Sequence, residues 1–214
     1  MIYVVKHKEY ETPKMPGYKD LGVGKMFNGK GDNINHLNPY LNEVTALYDI
    51  WKNKPDDIVG MCHYRRFFVD NGKILTFSKA ARLLKNAEIV TMIDHAPLKL
   101  DEFLAQAISK PIFDKYVTQM PKGFQAWLKE ANGFNPCNMF ICKHEVIDEY
   151  CETLFPIILP MVEQFIREDA NGDYWHDRAL GFICELFFAY WCKDKDRYKL
   201  TFMMIRGFTW LNYQ

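Results

Sequence analysis

The 214-residue sequence predicts an α/β fold, and three observations carry that prediction. Short β-branched and aromatic runs, such as Ile2 to Val5 and Ile58 to Cys62, alternate with amphipathic stretches of helical period. Two of these runs end in dense polar groups, Lys6-His7-Lys8 and His63-Tyr64-Arg65-Arg66. In α/β sheets ligands sit in the crevice beyond the carboxyl ends of the strands, so a site is expected there.

The elements follow in order. Ile2 to Val5 is a buried first strand. Tyr10 to Lys30, with two prolines and four glycines, is expected to be a long loop. Asn38-Pro39 suits a helix start, with Asn as N-cap and Pro at the first position. That helix should run from Pro39 to about Lys52 and bury Leu41, Val44, Leu47, Tyr48 and Trp51. Strand Ile58 to Cys62 follows, and Phe67 to Val69 stays extended up to the Asp70-Asn71-Gly72 turn. Ser78 is expected to cap a helix reaching about Lys85, before a strand from Glu88 to Met92. Leu100 to Met120 has one or two helices interrupted at Pro111, and Phe124 to Lys129 is a short helical piece. Cys137 to Cys142 is a buried strand. His144 to Glu168 is a long helix that Pro156 and Pro160 should kink or split. A last helix spans about Trp175 to Trp191, and a final strand runs from Lys199 to Ile205. No repeat or linker divides residues 1–214, so one domain is expected.

Composition narrows the function classes. Hydrophobic residues make up 49%, enough for a proper core, which excludes a disordered chain. Lys+Arg and Asp+Glu both number 27, and a zero net charge argues against binding nucleic acid mainly through charge. None of the six cysteines forms a C-x-x-C pair, which disfavours a zinc protein and fits buried free thiols in a reducing compartment. The first residues become charged too soon for a signal peptide or membrane span, so a cytoplasmic location is expected.

The segments IYVVKHK, GDNINHLNPYLNEVTALYDIWKN, VGMCHYRRFF, CNMFICKHEVIDEYCETLF and RALGFICE come in one order. In that order they resemble the bacterial capsular and exopolysaccharide glycosyltransferase family long catalogued as a domain of unknown function. The resemblance covers Ile2 to about Trp191. It implies a nucleotide-sugar-dependent transferase with a GT-A-like, Rossmann-related mixed sheet flanked by helices. In GT-A enzymes the equivalent strand normally ends in Asp-x-Asp, which holds a divalent metal on the donor diphosphate. Here it ends in HYRR, and the only D-x-D, Asp194-Lys195-Asp196, falls in a turn after the last helix. His63, Arg65 and Arg66 are therefore candidates to supply as fixed cations what a metal supplies elsewhere, which leaves metal dependence open. Strict alternation would send the two arginines to opposite faces.

The remaining candidates divide by role. His7 ends the first strand, and Asp32 and Asn33 sit in a loop suited to meet a ribose or base. Asn38 and Glu43 lie at the start of the motif helix, where Asn38 suits a simple N-cap and Glu43 is either solvated or orients the arginines. Asn138 precedes a buried run, so its amide needs partners, backbone groups or the donor sugar. An inverting transferase also needs a carboxylate to take the acceptor proton, and Asp173, Asp177 and Glu185 are available. Asp173 and Asp177 equally suit first-turn caps. Glu185 lies among apolar residues, where an unpaired carboxylate is costly, with Arg178 as a plausible partner. The expected donor is a nucleotide sugar, foremost a UDP-sugar, and the expected acceptor a surface glycan or glycolipid. The alternatives are transfer to a hydroxyl of a modified DNA base and a non-catalytic nucleotide-sugar-binding module.

Overall fold

The computed structural model describes residues 1–94, 109–131, 133–206 and 209–212. Within them runs one mixed sheet: β1 (Ile2–Lys6), β2 (Tyr18–Gly22), β3 (Ile58–His63), β4 (Arg66–Asp70), β5 (Lys73–Ile74), β6 (Ile89–Met92), β7 (Phe140–Lys143), β8 (Arg197–Arg206) and β9 (Thr209–Asn212). Its order is β2-β1-β3-β7-β6-β8-β4-β5, with β9 hydrogen-bonded to β8. β1 lies parallel to both β2 and β3, whereas β7 runs antiparallel between β3 and β6.

The helices are α1 (Asn38–Leu41), α2 (Val44–Asn53), α3 (Phe77–Leu83), α4 (Lys110–Val117), α5 (Lys122–Glu130), α6 (His144–Glu168) and α7 (Ala179–Cys192). Alternation along the strands fills two cores. Tyr3, Val5, Val59 and Met61 face a large core built with α1, α2 and α4 to α7. Ile2, Val4, Cys62 and Ile141 face a smaller one closed by α3 and by Phe67 and Phe68 of β4. Helix α7, ALGFICELFFAYWC, is apolar nearly all round and accordingly lies inside, packed on α1, α4, α5 and α6.

Several expectations need correcting. The segment 10–30 is not loop throughout: Tyr18–Gly22 adds an edge strand, whose Asp20 accepts bonds from Thr12 and Lys6. The motif helix breaks at Asn42, which has φ 53 and ψ −131. Asn38 is a helical residue rather than the N-cap, and its side chain fastens that break. Thr76, not Ser78, caps α3, because its side chain accepts the Lys79 N–H. Pro111 opens α4 rather than interrupting a helix, and the 100–108 part of that stretch lies outside the described residues. The strand expected from Cys137 begins at Phe140. The last helix starts at Ala179, and residues 174–178 form turns before it. Helix α6 is not split at Pro156 or Pro160 but runs on through both. Both prolines are on its exposed side, where water can satisfy the carbonyls they leave unbonded.

Candidate active site

The carboxyl ends of β1 and β3 meet three other segments: the α1–α2 break, the turn before β7, and the first half of α7. His63 closes β3 and pairs across the ladder with Arg66, so Tyr64-Arg65 is a two-residue hairpin turn. HYRR thus turns the chain from β3 into β4 instead of prolonging a strand. His63 and Arg66 become cross-strand neighbours, and Arg65 takes the tip.

Tyr64 is the buried hub beneath that tip. Its backbone N–H donates to the Val5 carbonyl, tying the turn to β1. The His7 and Tyr10 rings meet its ring edge-on at 5.2 and 4.9 Å, and the Arg65 guanidinium lies 5.1 Å from its centroid. An aromatic face attracts a cation, so this packing holds Arg65 without neutralising it.

The turn before β7 organises the opposite wall. Cys137 and Asn138 both have left-handed backbones, with φ 76 and 47. Asn tolerates that region and Cys does not, so the conformation costs on the order of 1–3 kcal/mol and must be imposed by its surroundings. Three bonds impose it. The Cys137 carbonyl lies 2.7 Å from His63 Nε2, which must carry the proton to donate. The Cys137 N–H donates to Glu185 Oε1 at 2.5 Å, and Asn138 Nδ2 donates to Glu43 Oε1 at 3.0 Å. One strained turn therefore joins the histidine of β3, the glutamate of the α1–α2 break and the glutamate of α7.

The electrostatics follow from this crowding. Burial, and then the neighbouring Glu43 charge, push the Glu185 carboxyl up from 4.5 to about 7, against the Cys137 N–H, Arg66 and Arg178. Burial likewise pushes His63 down, Glu43 opposing and Arg66 and Arg65 assisting. His7 is lowered by burial and by the charges of Lys8, Arg178, Arg65 and His63. The site thus holds neutral imidazoles, fixed guanidinium cations and a carboxyl that titrates near neutrality.

Of the residues singled out in the sequence, the structure brings together His7, Glu43, His63, Arg65, Arg66, Asn138, Arg178 and Glu185. Arg178 bonds the Tyr174 hydroxyl rather than Glu185, whose direct partner is the Cys137 N–H. Asn138 bonds Glu43 rather than backbone. Asn38 bonds the Asn42 carbonyl and Thr45 Oγ1, so it acts on the site only by holding the break. Asp32 accepts from the Tyr48 hydroxyl, and Asn33 spans its own turn. Asp173 accepts the N–H groups of Trp175 and His176, and Asp177 those of Asn171 and Gly172, so both brace the 171–177 turn.

Sequence reasoning missed Tyr64, Asn42 and Asn135. Asn135 is fully buried, and neither its amide nitrogen nor its oxygen has a partner among the described residues. The Asn135-Pro136 pair, a turn signal just ahead of a strand, could have marked this corner. The close approach of α1 and α7 depends on Gly181, where a Cβ would overlap Asn42 Nδ2 and lie 3.3 Å from the Tyr40 carbonyl.

The two carboxylates of the cluster are each engaged by a hydrogen-bond donor, and Arg66 and Arg178 act on Glu185. Among the described residues no three His, Cys, Asp or Glu side chains group as metal ligands.

The fold has a solved counterpart. WbbM, a bifunctional glycosyltransferase in its apo form, matches with a TM-score of 0.74 and 21% identity over 96% of this chain. The match takes in 45% of WbbM, so the chain spans less than half of that protein. No curated protein sequence matches. Among the described residues no helix is long and apolar enough to cross a membrane. Residues 1–196 match the model of the domain of unknown function DUF4422, and the chain belongs to that family.

Proposed function

We propose that the chain is a GT-A-type glycosyltransferase that moves a sugar from a nucleotide-sugar donor, foremost a UDP-sugar, to an acceptor hydroxyl of a surface glycan or glycolipid. The observation that carries this reading is the convergence of Arg65, Arg66 and Arg178 with Glu185 at the carboxyl ends of β1 and β3. The resemblance of the fold to a glycosyltransferase structure agrees with it.

Glycosyl transfer breaks the bond from the anomeric carbon to the β-phosphate oxygen and forms one to the acceptor oxygen. The departing diphosphate gains negative charge, which guanidinium groups fixed beforehand stabilise without reorganisation. Arg65, braced on Tyr64, and Arg66, anchored in β4, are the residues for that task. The acceptor loses a proton as the new bond forms. Glu185 receives it, because a base poised near pH 7 is partly ionised and still basic enough to draw the proton. Neutral His63, held by the Cys137 carbonyl, positions the turn on which Glu185 leans.

Calorimetry with UDP, GDP, CMP and their sugar conjugates, in EDTA and in Mn²⁺, tests the reading. A single nucleotide bound equally well in both supports the arginine site and names the donor class. Binding in Mn²⁺ alone, or no binding at all, refutes it.

A further inference from the structure

Tyr174 and Trp175 are the most exposed large hydrophobic side chains among the described residues, at 60% and 56%. Their exposure is not that of a fraying loop. Asp173 Oδ1 accepts the N–H groups of Trp175 and His176, Asp177 clasps Asn171 and Gly172, and His176 Nε2 meets the Asp169 carbonyl. The two rings meet edge-to-face at 5.3 Å. Behind Trp175, the Phe182 ring of α7 stacks at 6.3 Å and 22°. Trp175 is thus a braced indole backed on one side.

Arg178 connects this pair to the charged cluster. Its Nη1 donates to the Tyr174 hydroxyl at 3.0 Å, and its guanidinium lies 4.8 Å from the Tyr174 ring centroid. Its Nε is buried and has no hydrogen-bond partner among the described residues. Arg178 is the N-cap of α7, the helix that carries Glu185, and its charge is felt at His7 and Glu185.

Resting on the proposed function, we infer that Tyr174 and Trp175 form a stacking platform for a pyranose ring of the acceptor saccharide, with Arg178 binding its hydroxyls. A pyranose has an apolar C–H face that packs on an aromatic ring and a rim of hydroxyls that need polar partners. An exposed indole beside a guanidinium offers both. Saturated acceptor rings held there would present a hydroxyl toward Glu185.

The test uses the full ¹⁵N-labelled chain and follows the Trp175 indole N–H resonance, assigned by its disappearance in Trp175→Phe. The probes are methyl glucoside, galactoside and mannoside with their disaccharides, then UDP alone, then vesicles of anionic phospholipid. The expected result is a saturable shift of that resonance with at least one saccharide. Trp175→Ala should weaken that saccharide's binding about ten-fold, the loss of one aromatic contact, with an unchanged thermal midpoint. No shift with any saccharide overturns the platform. So does a response to UDP only, which would make it a base-stacking surface, or to vesicles only, which would make it a membrane contact. UDP silence across the whole spectrum would remove UDP as the donor nucleotide, whereas a saccharide shift at Trp175 would still stand as support for the platform.

Discussion

Replacing Glu185 with glutamine removes one titration and little else, since the amide oxygen can still accept the Cys137 N–H. In the folded protein the carboxyl is raised from 4.5 to about 7. A raised carboxyl means that the folded state keeps a proton the unfolded chain has already released. Stability should therefore fall as pH climbs from about 4.5 to about 7, and level off above that. At 1.36 kcal/mol per pH unit, the gap between 4.5 and about 7 amounts to about 3 kcal/mol. Glutamine cannot ionise, so Glu185→Gln should overtake the parent by about 2–3 kcal/mol between pH 5 and pH 8. Urea unfolding of both proteins at pH 5, 6, 7 and 8 measures this, and the histidine contributions largely cancel in the comparison. The same substitution should lower transfer by about 10²–10⁴-fold while leaving donor affinity nearly unchanged. Parallel stability profiles across the range would show that Glu185 titrates as an ordinary carboxyl, and the case for it as the base would fail.

Arg65→Ala with Arg66→Ala should weaken UDP binding at least ten-fold, because each charge-assisted bond contributes roughly 1.5–3 kcal/mol, with little loss of stability; unaltered calorimetric affinity would remove the pair from the site. Gly181→Ala should cost about 1–3 kcal/mol in urea unfolding, since the new methyl overlaps Asn42 and presses α1 off α7. An unchanged midpoint there would mean that the helices part freely. Asn38→Ala should cost about 1–2 kcal/mol through the two bonds that hold the Asn42 break, and it should impair donor binding indirectly by releasing Glu43. Normal stability in that variant would show the break to be self-supporting.

The parts of this fold that could be read in the sequence are those set by burial. Ile2 to Val5 and Ile58 to Cys62 announce themselves as apolar runs, and the face of α6 through its helical period. Edge strand β2 does not, because Tyr18-Lys19-Asp20-Leu21-Gly22 buries only Leu21. The HYRR hairpin is hidden for another reason. Tyr64 and Arg65 make their turn without a left-handed backbone, so no Gly, Asn or Asp marks it. Asn135-Pro136 signals a turn before β7, but the left-handed conformation of Cys137-Asn138 is hidden because it comes from His63, Glu43 and Glu185, residues far away in sequence. Glu185 itself was visible, as a carboxylate inside an apolar helix. Its partner was not, because a backbone N–H has no signature in the sequence.

The charge of the cluster bears on how the chain would find an anion at all. Over the whole chain 27 cations balance 27 anions, so no long-range field draws a nucleotide in. Inside the cluster the balance tips. Arg65, Arg66 and Arg178 stand against Glu43 and a Glu185 only partly ionised at neutral pH, while His7 and His63 are pushed toward neutrality. The local surplus is positive and rests on rigid elements: a hairpin tip packed on Tyr64, the first residue of β4, and the start of α7. Binding a diphosphate there would neutralise Arg66 and Arg178, two of the groups that hold Glu185 down. Its carboxyl would then climb further, so an occupied donor site would make Glu185 the stronger base when the acceptor arrives. The pH dependence of transfer at saturating donor should accordingly lie above that of the free protein's Glu185 titration, and a midpoint at or below it would contradict this coupling.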